Sequence, residues 1–232
     1  MISDHIFKIK QRIAGACAKI GRDPRQITLV AISKGRTARE IEEAIEAGIS
    51  DIGENRVQEA ELKYRKLITS EPANPRTIKW HMVGHLQTNK AKEAVKIFDL
   101  IHSLDSIRLA REIDRQAARI NKVQSVLIEI KTSPEATKSG IASGEAVGLI
   151  KEIASLKNIS LKGLMTIAPL VNDPEKARPY FRELRELRDS INAISNMQYA
   201  ICELSMGMTD DFEIAIEEGA NMLRIGRAVF EG

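Results

Sequence analysis

The sequence predicts an α/β fold: a single (β/α)8 TIM barrel over residues 1–232, with an extra helix at its N-terminus. Apolar, β-favouring runs alternate strictly with segments of helical period from residue 27 onward. Eight such runs occur, and neither a Gly/Ser-rich linker nor a shift in composition divides them. Strict alternation makes the strands parallel, and eight in a chain of 232 residues favour closure into one barrel over an open sheet.

The extra helix comes first. Ile2, Ile6, Ile9, Ile13, Cys17 and Ile20 recur every three or four residues, which is one face of an amphipathic helix. Its apolar run is too short for a signal or a membrane span, and Asp4 with the mixed charges argues against a transit peptide, so the expected location is cytoplasmic. Strands are expected over 28–33, 51–53, 78–83, 100–104, 125–131, 161–167, 199–204 and 222–225. A Thr37/Glu40 capping box opens the helix that carries Ile41, Ala44 and Ile45. Further stripes are Ile107, Ala110, Ile113, Ala117 and Ile120, then Ala146, Leu149, Ile150 and Ile153. The last long one is Phe181, Leu184, Leu187, Ile191 and Ile194, with Pro174 at a first-turn position and Pro179 bending the start.

Composition narrows the function classes. The 35 basic residues are interspersed among 32 acidic ones for a net charge of +3, and only 4% of residues are aromatic, so neither a basic groove nor a stacking platform for nucleic acid is expected. Cys17 and Cys202 fit no metal or redox spacing and read as two buried thiols. His81 and His85 lie on a strand-to-loop segment without a third ligand, so no metal site is expected.

Barrel enzymes place their chemistry at the C-terminal ends of the strands, with phosphate groups commonly in the loops after strands seven and eight. Here those loops are Ser205-Met206-Gly207-Met208-Thr209 and Gly226-Arg227-Ala228. A hydroxyl, two glycines and exposed N–H groups at a helix start suit a phosphate. Alternation along the last strand sets Arg224 opposite Leu223 and Ile225, hence into the barrel, where a guanidinium needs a polar ligand or a carboxylate. The first strand, ITLVAISK, ends on Lys34, which shares a face with Val30 and Ile32. Taken alone, Lys34 reads as a strand-end side chain snorkelling to solvent. Beside the phosphate loops it reads as an amine that loses hydration, feels Arg224, and condenses with an aldehyde. Gly53-Glu54-Asn55-Arg56 offers the Asn55 carboxamide to a ring hydroxyl, while Glu54 and Arg56 can pair with each other.

The segments VAISK, DIGENRVQE, WHMVGHLQTNK, TKSGI, LKGLM, LSMGMTDDFE and LRIGRAVF together resemble the pyridoxal phosphate homeostasis protein family, which is related to the N-terminal barrel of alanine racemase. The resemblance covers residues 27–230. It implies pyridoxal 5′-phosphate (PLP) held as an internal aldimine on Lys34. It also implies a phosphate held by Ser205, Met206, Gly207, Gly226 and the Arg227 backbone, Asn55 near the ring, and Arg224 facing the pyridine nitrogen. The chain departs from the family pattern in having Gly35 where a hydroxyl residue often follows the lysine, Lys131 where strand five often ends in Asn, and Arg227 where Thr or Ser is common.

On that footing the expected function is PLP binding in vitamin B6 homeostasis without robust turnover, with PLP-dependent apoenzymes as receivers, no membrane or nucleic-acid partner, and a monomer as the expected state. An arginine at the pyridine nitrogen makes the ring a weak electron sink. The sequence stops at Gly232, after the eighth unit, and leaves no residues for the C-terminal β domain that gives the racemases their second acid/base. A small PLP-dependent amino-acid racemase, with Tyr180 or a strand-end histidine as second base, is the alternative; a cofactor-free aldolase using Lys34 is a further rival.

Overall fold

The computed structural model describes residues 1–69, 78–133, 139–194 and 200–232. Its strands are β1 (Thr28–Ile32), β2 (Asp51–Glu54), β3 (Lys79–Met82), β4 (Leu100–Leu104), β5 (Gln124–Lys131), β6 (Ile141–Ala142), β7 (Ile159–Met165), β8 (Glu203–Ser205) and β9 (Met222–Ile225). Neighbours pair in parallel in the order β4-β3-β2-β1-β9-β8-β7-β5, and β4 pairs β5 to close an eight-stranded barrel. The two-residue β6, absent from the expected set, lies outside this ring and pairs only the end of β5, Ile130 with Ile141.

Around the barrel run α2 (Ala38–Glu46), α3 (Val57–Thr69), α4 (Ala91–Ile97), α5 (Ile107–Ala118), α6 (Ala146–Ile153), α7 (Arg178–Asn192), α8 (Phe212–Glu217) and α9 (Arg227–Phe230), preceded by α1 (Ile2–Lys19). Strand alternation divides the apolar residues into two layers. Ala31, Ile52, Ile101, Val126, Leu164 and Leu223 face the helices. Val30, Leu100, Leu127, Met165 and Met222 form a separate cluster inside the barrel.

The final helix is only four residues long, and α1 covers the gap that it leaves, packing on α8, α9 and α2. Ile2, Ile6, Ile9, Ile13 and Cys17 are buried there, each isoleucine contributing about 1.5–3 kcal/mol. Arg12 stacks on the Phe212 ring at 4.4 Å and bonds Glu213 at 2.6 Å, which orients the helix.

The stripes hold except at their last members. Ile20, Ile120 and Ile194 are each more than a third exposed, because α1, α5 and α7 end one or two residues before them and the face is lost. The seventh barrel strand begins at Glu203 rather than 199; Tyr199 lies outside the described residues. Asn192 explains the late start: its side chain takes both backbone groups of Ile201, at 2.9 and 2.8 Å, in place of a strand partner. Cys202 therefore precedes the strand and is exposed, contrary to the two buried thiols expected, while Cys17 is buried. No helix among the described residues is long and apolar enough to cross a membrane.

Candidate functional site at the barrel mouth

Ser33, Lys34 and Gly35 turn the chain from β1 into α2, whose Thr37/Glu40 capping box forms as expected. Lys34 is exposed at the mouth, so the loss of hydration expected of it is not seen. Its neighbours, by contrast, are clamped. Lys63 on α3 donates to Ser33 O at 2.6 Å, to Glu54 Oε1 at 2.6 Å and to Glu59 Oε1 at 2.8 Å. Glu59 in turn accepts the Gly35 amide at 2.6 Å. The backbone on both sides of Lys34 is thus tied to one buried ammonium. Glu54 is fully buried and pairs with Lys63, not with the exposed Arg56. Its Oε2 has no partner among the described residues, and burial pushes the carboxyl up despite Lys63 and Ser33.

Arg224 points into the barrel, as the alternation along β9 requires, and is 5% exposed. Nη1 donates to Ser205 Oγ at 2.6 Å and Nη2 to Thr166 O at 2.8 Å. Burial lowers the guanidinium to about 10, so it stays charged at neutral pH, helped by Asp211 and Glu129. Ser205 Oγ also lies 2.9 Å from His102 Nδ1. Its hydroxyl is consequently engaged inside the barrel and fully buried.

The two glycine turns sit side by side above Arg224. Gly207 has φ +91°, and a Cβ there would lie 2.6 Å from the Ala215 Cβ. A Cβ at Gly226 would lie 3.2 Å from Ile32 O, so this turn abuts β1 two residues before Lys34. The Gly207 and Gly226 amides donate no hydrogen bond among the described residues. Met206 is fully buried on the helix side, so only its backbone belongs to the turn. The Arg227 guanidinium points away and pairs with Asp210 at 2.6 Å.

A groove of about 820 Å³ runs from Lys34 past Asn55 to His85 and Lys90. A smaller cavity of about 150 Å³ shares Asn55, Gly84 and His85 with it and reaches Glu129 and Lys131. Glu129 is 5% exposed; burial, then the neighbouring Asp105, raise its carboxyl to about 7, against the pull of Arg224. Half-buried Asn55 thus stands between the amine and the inner cavity.

The structure brings Lys34, Asn55, Gly207, Arg224 and Gly226 to one end of the barrel. Several residues with a part in the site were not picked out from the sequence. Lys63 and Glu59 carry no local signal, since only the fold brings α3 behind the Lys34 turn. His102 and Glu129 did carry one: His102 is the one ionisable residue of LIHSL, and Glu129 interrupts the apolar run VLIEI. Thr209, four residues after Ser205, is the hydroxyl at the loop end; its Oγ1 accepts from Ala228 N at 3.5 Å. Of the weak second-base candidates, His81 is buried in the barrel, His85 pairs with Asp105 at 3.3 Å, and Tyr180 packs on the helix-side core. Thr137 and Lys138 of TKSGI lie outside the described residues.

A closed barrel with an amine after its first strand and glycine turns after its last two defines the alanine racemase N-terminal class of domain. The family model described as "Alanine racemase, N-terminal domain" matches residues 8–232. Within that class, a pyridoxal phosphate homeostasis protein of Aquifex aeolicus is 42% identical over 98% of this chain and 96% of its own length. One of Escherichia coli K12 is 35% identical over 99% of this chain and 95% of its own. PipY of Synechococcus elongatus PCC7942, solved with PLP bound, superposes with a TM-score of 0.86 at 32% identity, covering 99% of this chain and 100% of that one. The chain belongs to the pyridoxal phosphate homeostasis protein family.

Proposed function

We propose that this protein binds pyridoxal 5′-phosphate at the barrel mouth and serves intracellular PLP homeostasis as a carrier, without robust turnover. The observation that carries the reading is the combination of an accessible amine, Lys34, with a buried Arg224, charged at neutral pH, under two adjoining glycine turns. When bound, PLP supplies an aldehyde that condenses with primary amines and a ring that withdraws electrons from the product.

The residues present fit that group. The uncommitted amides of Gly207 and Gly226 offer an anion cradle, and at both positions a Cβ would crowd neighbouring protein atoms and displace the turn. Lys34 Nζ would bond the aldehyde carbon, and Asn55 would lie along the ring. Arg224, charged at neutral pH and able only to donate hydrogen bonds, works against protonation of the ring nitrogen and so against carbanion chemistry. The Lys63 clamp holds the Lys34 turn in place, so that release and rebinding need not rebuild the mouth. The names of the relatives support a homeostatic role, and the PLP in PipY supports the cofactor.

Borohydride reduction of the protein incubated with PLP, followed by peptide mass analysis, tests the site. A pyridoxyl group on Lys34 is expected; one elsewhere, or none, overturns the assignment. A chiral screen with D- and L-amino acids tests the carrier reading, which a turnover of roughly one per second or faster overturns in favour of a racemase.

A further inference from the structure

A line of side-chain hydrogen bonds descends from Arg224 through the barrel interior and ends at the start of β2. Arg224 Nη1 lies 2.6 Å from Ser205 Oγ, which lies 2.9 Å from His102 Nδ1. His102 Nε2 lies 2.9 Å from His81 Nδ1, and His81 Nε2 lies 2.9 Å from Asp51 Oδ1. Ser50 donates to the other Asp51 oxygen at 2.5 Å. All five residues of the line are 8% exposed or less, and they come from five different strands.

Counting hydrogens fixes the direction of the line. Arg224 can only donate. Burial pulls the Asp51 carboxyl up, but the bonds from His81 and Ser50 outweigh it and hold it below the usual range, so Asp51 is ionised and only accepts. His102 is held neutral chiefly by burial, with the Arg224 charge acting in the same direction, and has a single N–H. With His81 neutral, its N–H must be on Nε2, facing Asp51, and its Nδ1 must accept. His102 must then carry hydrogen on Nε2 and accept at Nδ1 from Ser205. The Ser205 hydroxyl therefore spends its one hydrogen on His102 and accepts from Arg224 Nη1 on a lone pair. One extra proton on His81 reverses the two middle bonds: His81 would donate to His102 and His102 to Ser205, whose hydrogen would be expelled toward a guanidinium that can only donate.

We propose that Asp51, His81 and His102 are positioning residues for Arg224, acting through Ser205: they lock the serine as an acceptor and so hold the guanidinium against it. With PLP in the site, which rests on the reading above, this fixes the face that Arg224 turns to the ring nitrogen. Two neutral histidines, both in the Nε2–H tautomer, are the signature of the locked state.

Long-range ¹⁵N–¹H NMR of the histidine rings in the cofactor-free protein at pH 7.5 reads that signature directly. Nε2–H on both His81 and His102 is expected; Nδ1–H on His102, or a charged His81, overturns the proposal. A pair of variants then separates positioning from packing. H102Q keeps an acceptor toward Ser205 and a donor toward His81, and should bind PLP within about twofold of the parent. H102L supplies neither, and should weaken PLP binding roughly tenfold and shift the absorption band of the bound cofactor. Equal behaviour of the two variants overturns the proposal. Should the parent bind no PLP, the proposed function fails, while the tautomers, read without cofactor, still test the relay.

Discussion

Lys63 Nζ sits 2.6 Å from Glu54 Oε1, and this buried pair stands directly behind the turn that carries Lys34. The ammonium uses its remaining hydrogens on Ser33 O and Glu59. A pair of this kind adds little net stability over a well-packed apolar replacement, but breaking it is costly, because the surviving charge is stranded. Its role here is geometric: it defines where the backbone around Lys34 lies.

Replacing Lys63 with Met should therefore destabilise the fold by about 3–5 kcal/mol, since Glu54 would be left buried and unpaired. Adding Glu54→Gln should recover part of that loss by removing the stranded charge. Urea unfolding of both single variants and the double variant measures the coupling. Additivity of the two costs would show that the pair does not act as a unit.

Gly207→Ala should lose PLP affinity and about 1–3 kcal/mol of stability together. The φ of +91° is poorly open to alanine, and the new methyl would meet Ala215 at 2.6 Å and the Phe212 Cα at 3.0 Å. Both contacts push on the start of α8 and hence on the turn. Thermal melts with and without PLP read the two effects, and normal affinity in the variant would remove Gly207 from the cradle.

Two buried groups give the stability opposite slopes in pH. His102 is held well below its ordinary value, so its contribution is full above about pH 6.5 and is lost as acid protonates the unfolded chain first. Glu129, raised from 4.5 to about 7, contributes fully below its ordinary value and loses that contribution as pH rises toward 7. Between about pH 5 and 6.5 the two oppose each other. Glu129→Gln should remove one of them and steepen the rise of stability with pH by up to ~1.4 kcal/mol per unit. Denaturant midpoints at several pH values check this; parallel curves for the variant and parent would mean that Glu129 titrates normally.

Much of this organisation is legible along the chain, for reasons that also mark its limits. The barrel shows because period-2 and period-3.6 patterns alternate cleanly, and Lys34 and Arg224 show because each is a lone cation on an apolar strand. His102 in LIHSL carries the same signal, on the face that Leu100 turns to the barrel interior. What the pattern does not encode is partnership between distant elements. Lys63 reads as an ordinary helical lysine until α3 is folded behind β1, and the late start of β8 depends on Asn192, which takes the hydrogen bonds of Ile201, nine residues on. From its place in the loop Ser205 is expected at the phosphate; only the folded barrel, with β8 beside β9, brings its hydroxyl to Arg224.

Arg227 offers the clearest test of how the anion is held. Its guanidinium replaces a hydroxyl common in the family pattern and could be imagined to grip a phosphate, yet in the structure it bonds Asp210 on the outer surface. Both partners are more than half exposed, 59% and 54%, so the pair is solvent-screened and contributes about 0–1 kcal/mol. If the cradle consists of backbone amides with Thr209 nearby, the side chain at 227 is dispensable. Arg227→Ala should then leave PLP affinity within about twofold of the parent. Thr209→Val should weaken it by several-fold, through loss of a hydroxyl at the mouth. Fluorescence titration of PLP into the two variants decides the matter: a large loss in Arg227→Ala with none in Thr209→Val would mean that the guanidinium swings in to hold the phosphate and that the amide cradle is incomplete without it.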